Sequence, residues 1–200
     1  MGSLINNLTN EPFDPFDLQN ENRKYAMNNL NITFPYSFAF DLVELNWYDM
    51  LFFIDNGYLS HQAAIEHAQY ELGVDDNNEQ YVIELAILTP SESLYPHSLH
   101  PFIGNLANAV PNKDRDTSKQ KLLYLVLEWV YRNRETFEDP LQVVEIIYAD
   151  FGYPKGIVSF VRYMPMTVDE ISLEPDIETR WSIFLEKQKI LFGKRRTSYD

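Results

Sequence analysis

Nine consecutive positions, Leu122 to Val130, carry a single charge, Glu128. Wound into a helix, nine residues point in every direction, so this segment cannot lie on a surface with one face wet. It is also far short of the roughly 20 apolar residues that span a bilayer. What remains is the centre of a helical bundle. Thr117-Ser118-Lys119-Gln120 has the capping-box pattern, Thr at the cap and Gln three residues later. The spacing therefore predicts a helix that opens at Thr117 and runs to Arg134, with the rest of the chain wrapped around it.

The flanking sequence supplies the wrapping. Asn46 is a good N-cap, and Trp47, Met50, Leu51 and Ile54 follow the i, i+3, i+4, i+7 spacing of one helix face. Asn56-Gly57 closes that helix with residues that tolerate the left-handed conformation. Ser60 caps a second helix with Ala64, Ile65, Ala68 and Leu72 inward and Gly73 at its end. A third covers 78–88, with Val82, Leu85 and Ala86 inward. The segment 89–102 holds three prolines and reads as a loop, followed by a shorter helix over 102–110. Asp139-Pro140 is a cap followed by a first-turn proline. It opens a helix with Leu141, Val144, Ile147, Tyr148 and Phe151 inward and Gly152 beyond its end. A short helix is expected from Tyr153 to Tyr163, and a last one over 176–192, closed by Gly193.

Two hundred residues with 45% apolar and 23% charged residues suit one ordinary domain. The expected fold is all-α, a single-domain helical bundle of about seven or eight helices. An irregular Asn-rich segment, 1–37, packs on a helical domain, 38–192, and a basic tail, 193–200, follows. Over residues 33–40 Phe34, Tyr36, Phe38 and Phe40 alternate, which predicts an extended stretch laid over the core, with a short helix from Phe40 through Glu44 as the alternative for its end.

The net charge of −14 is unevenly placed. Residues 1–110 carry −13 and residues 111–200 carry −1; from Tyr25 to Asn112 there is no Lys or Arg at all. Such a chain is a poor partner for nucleic acid, whose phosphates require cations. A one-sided acidic field instead steers a basic protein. No charged-then-apolar leader and no membrane-length apolar run is present, and the protein contains no cysteine. A cytoplasmic protein is expected.

No catalytic motif survives inspection. His97-x-x-His100 has a spacing that can share a zinc ion, but Pro96 and Pro101 flank it and no third ligand is evident. The run from Asp75 to Glu79 fails as a calcium loop: the glycine position is Gln80 or Tyr81 and the bidentate Glu position is Ala86 or Ile87. No phosphate-binding loop and no Gly-x-Ser-x-Gly is present. Adjacent Glu66 and His67 point apart on a helix. No catalytic residue, metal or cofactor is expected.

The runs Leu45-Asn46-Trp47-Tyr48-Asp49, Asn56-Gly57-Tyr58-Leu59-Ser60 and Ala63-Ala64-Ile65-Glu66-His67-Ala68 carry a resemblance. So do Leu122–Arg134, Phe137-Glu138-Asp139-Pro140-Leu141 and Glu145–Phe151 through Phe160–Pro165. Over roughly residues 38–192 the chain resembles a bacterial family catalogued as a domain of unknown function (number 2247). The resemblance implies an all-helical bacterial protein with no assigned activity. Families of this kind are often found beside secreted toxins, where small acidic proteins serve as immunity factors.

Together these features suggest an immunity-type protein that neutralises a basic, nuclease-like toxin domain by occlusion. Asp49, Asp55, Glu71, Asp75, Asp76 and Glu79 would face the partner, with Trp47, Tyr48, Phe52, Phe53 and Tyr58 as apolar anchors; the other reading of those rings is that the hairpin is central and buried on two sides. The chain would be a monomer or a weak homodimer. The alternatives are a non-enzymatic helical scaffold or adaptor and, behind it, an enzyme, which would need a pocket of convergent titratable groups.

Overall fold

The computed structural model describes residues 27–74, 79–162 and 175–194. Pro35 sets where the first helix begins: its φ of −67° places it at the N-cap of α1, Tyr36–Leu42. The alternation expected to mark an extended stretch therefore holds only as far as Phe34. Residues two apart are also, at every second step, four apart, and on a helix that puts rings side by side. Phe34 and Phe38 have centroids 5.4 Å apart, Tyr36 and Phe40 5.3 Å. Upstream, both amide ends of Asn28 bond the backbone of Ile32, and Phe34 N–H donates to the Tyr58 carbonyl at 3.2 Å.

Helix α2, Trp47–Asp55, starts at a capping box: Asn46 Oδ1 accepts from Asp49 N–H, and Asp49 Oδ2 from Asn46 N–H. Gly57, at φ +75°, turns the chain into α3, Gln62–Val74, whose first residue is two beyond Ser60 and which continues one past Gly73. Helix α4 is Gln80–Ala86, shorter than expected at both ends, with Glu79 at its N-cap and Ile87 at its C-cap.

The largest departure from expectation is the proline-rich segment. After a 3₁₀ turn at Glu92–Leu94 it forms α5, Pro96–Ala109, which includes His97, His100 and Pro101. Pro96 at the first position needs no N–H. Pro101 forfeits one helical bond, which burial of Leu99, Ile103, Leu106 and Ala107 on one face offsets.

Helix α6, Arg115–Arg132, is capped by Asp114 rather than Thr117, one turn earlier than the motif indicated. The Thr117 hydroxyl donates to Asp114 instead of capping. Every residue from Leu122 to Leu127 is buried, as is Val130. Helices α2, α7 (Pro140–Asp150, capped by Asp139) and α8 (Ile177–Phe192, capped by Asp176) contact it. A 3₁₀ segment, Lys155–Phe160, packs on α8, where Phe160 stacks on Trp181. The described residues hold no strand and bury one continuous apolar cluster from Ile32 to Leu185. The fold is an all-α bundle with α6 at its centre.

Candidate functional site

Six acids were expected to form a partner-binding face, and the four among the described residues have different surroundings. Asp49 is 1% exposed. Its capping role turns the side chain inward, onto α6, where Lys121 Nζ lies 2.7 Å from Oδ2 and Ser118 Oγ donates to Oδ1 at 2.6 Å. Lys121 also donates to the Glu44 carbonyl. Asp49 is thus a buried tie between α2 and α6 and leaves the proposed surface. The sequence could not reveal this, because Lys121 is 72 residues away.

Asp55, the last residue of α2, accepts from or pairs with His100 Nε2 at 2.8 Å, and that bond raises the His100 pKa. His61 lies alongside, its ring centroid 6.2 Å from that of His100. Burial, then the neighbouring His100, lower its pKa, and its Nε2 is buried without a hydrogen-bond partner. His97 is exposed on the same helix as His100. Among the described residues no three His or acidic side chains converge as metal ligands.

Glu71 is half-buried and accepts from Trp47 Nε1 at 2.9 Å. Its other oxygen lies 3.4 Å from His67 Nε2, and His67 Nδ1 is 2.9 Å from the Tyr36 hydroxyl. Burial first, and the Lys194 charge second, push His67 down to about 4, so it is neutral near pH 7. Tyr36 is pushed up by burial and by Tyr70, Glu71 and Glu66. This Trp47–Glu71–His67–Tyr36 chain joins α1, α2 and α3. The usable signal was the i, i+4 spacing of His67 and Glu71, not the adjacent Glu66.

Glu79 is exposed before α4. Asp75 and Asp76 lie outside the described residues. The aromatic anchors are corrected too: Trp47, Phe52, Phe53 and Tyr58 are buried in the core and Tyr48 is half-buried. Two long helices flank this hairpin, so its surplus aromatics are core. Cations from the second half also reach the first: Lys194 Nζ sits 2.9 Å above the Phe40 ring, within the field of Asp41 and Glu44.

What stays open lies around α3 and α4. Glu66 and Glu84 are partly exposed, Glu79 and Glu92 exposed. Glu92 caps its own turn through Thr89, which lowers its pKa, and Gln80 donates to Glu84. No Lys or Arg occurs on α2, α3, α4 or α5. No helix of the described residues is long and apolar enough to cross a membrane. No curated protein and no solved structure matches the chain. A family profile does, over residues 36–189, which reach from the first residue of α1 almost to the end of α8. The chain belongs to the bacterial family DUF2247, described as an uncharacterized protein conserved in bacteria.

Proposed function

We propose that this protein is an immunity-type factor that binds a basic, nuclease-like toxin domain and occludes it. The observation that carries this reading is the stretch from Tyr25 to Asn112, which includes the five helices α1 to α5, without one Lys or Arg. Burial of Asp49 and the engagement of Glu71 and Asp55 reduce its acidic surface but do not abolish it. Glu66, Glu79, Glu84 and Glu92 still face water. Carboxylates on such a surface take the place of phosphates at a cationic active site and accelerate encounter. The aromatic part of the expected interface is dropped, since those rings are core.

The test is to look upstream of the gene for a large secreted protein with a small basic C-terminal domain, and to mix that domain with this protein in a nuclease assay and stopped-flow binding. A stoichiometric complex and loss of nuclease activity are expected. Glu66→Lys, Glu79→Lys and Glu84→Lys combined should slow association at least about tenfold at low salt, less at high salt. Unchanged association of that variant overturns the electrostatic mechanism. A second reading, a helical scaffold or adaptor, draws on the end of α8, where Ile190 is 85% exposed and Leu191 is also exposed.

A further inference from the structure

Helix α4 is apolar on two opposite sides. Val82, Leu85 and Ala86 are buried against α3 and α5. Ile83 and Ile87, one turn apart on the outward side, are exposed, Ile87 at 73%, and Leu94 and Tyr95 just beyond are exposed as well. A helix that serves only the core needs one apolar stripe; its second stripe here faces water. The polar groups beside that stripe are Glu79, Glu84 and Gln80, with Glu92 in the following turn. The two helices packed on α4 contribute no Lys or Arg to that rim, whose charges among the described residues are those of Glu79, Glu84 and Glu92.

We infer that the outward face of α4 is a docking face for a cationic amphipathic segment of a partner protein, apolar ridge on Ile83 and Ile87, Lys or Arg on the glutamate rim. The inference rests on the proposed binding of a basic partner and names where that partner's apolar ridge seats. Charge decides between this occupant and a second copy. Two chains of net charge −14 repel each other, and the same rim on a second copy is also anionic. A basic segment meets both demands of the face, apolar centre and charged rim.

The probe is a fluorescein-labelled, 18-residue Lys/Leu peptide of amphipathic helical pattern, with a scrambled peptide of equal composition as control. Fluorescence anisotropy with the full chain should show binding to the patterned peptide at low salt, at least about tenfold tighter than to the scrambled one. Ile83→Glu combined with Ile87→Glu should abolish that preference. The milder Ile87→Ser should weaken it several-fold, and Tyr153→Ser, on an exposed residue beyond α7, should leave it unchanged. Melting temperatures of all variants are measured alongside. Equal binding of both peptides, or an unchanged preference in the paired variant, overturns the docking face and leaves the binding of a basic partner standing. No binding of either peptide by the native chain overturns the docking face, and the toxin-mixing assay alone decides the binding of a basic partner. Concentration-dependent self-association in sedimentation, lost in the paired variant, identifies a second copy as the occupant. A melting temperature lowered by more than about 5 °C in Ile87→Ser shows that the face is already covered within the chain.

Discussion

Asp49 packs against the central helix and Glu128 belongs to it, and the two are neutralised in different ways. Asp49 relies on Lys121, in another helix and far along the chain. Its neighbours do likewise or use uncharged donors: Glu71 takes the Trp47 indole, Asp55 a histidine. In the second half, carboxylates meet arginines nearby: Glu128 with Arg132 four residues on, and Asp139 and Glu145 with Arg162. The first half is electrostatically incomplete without the second, whereas the second largely balances itself. A charge tally by segment therefore overstates how much acid is free, because tertiary contact redistributes it.

The sharpest way to break this contrast is Asp49→Ala. It leaves Lys121 nearly buried without its carboxylate, the Asn46 N–H at the cap of α2 without its acceptor, and the Ser118 hydroxyl with only the Asp114 carbonyl. A loss of about 3–5 kcal/mol in urea unfolding is expected. A loss below about 1 kcal/mol would place the pair with ordinary surface bridges.

The next is pH. Burial holds His67 near 4 in the folded chain, below its ordinary 6.5, despite Glu71 at 3.4 Å. The unfolded chain then takes up a proton that the folded chain refuses. That contribution to stability is fully present above about 6.5 and is lost as pH falls toward 4, on the order of 3 kcal/mol. Urea midpoints from pH 7 to 4.5 should fall more steeply for the native chain than for His67→Gln. Parallel curves would mean that Glu71 holds the proton on His67.

The smallest effect is expected from Arg132→Ala. It removes an exposed i, i+4 pair with Glu128 and a contact of the guanidinium with the Phe38 ring, 5.4 Å from its centroid. The cost should be about 0.5–1 kcal/mol, part of it screened in 1 M salt. A cost as large as that of Asp49→Ala would erase the distinction between the halves.

The bundle was legible because its signals are local. The all-round apolar run specified α6 as the centre, and the Asn46 cap, Asn56-Gly57 and Asp139-Pro140 placed helix ends. Where the reading failed, either a nonlocal term or a competing local cap had won. Burial of Leu99 and Ile103 carried a helix through Pro101. Asp114 took the cap one turn ahead of Thr117. The candidate site was less legible, since each acid is decided by what faces it: Lys121 claims Asp49, His100 claims Asp55. The outward stripe of α4 was invisible for the converse reason. Ile83 and Ile87 look like core residues until the partner side of the helix is known.

The place of α6 in the chain has a consequence for synthesis. Translation delivers α1 to α5 before the helix on which the core is built. Until residues 115–132 have been made, the apolar faces of α2 and α3 have no centre to close on. Over that interval the growing chain carries almost all of the protein's excess negative charge. Mutual repulsion between nascent chains then guards the unfinished core. The arrival of Lys121 at Asp49 then ties the start of α2 to the central helix.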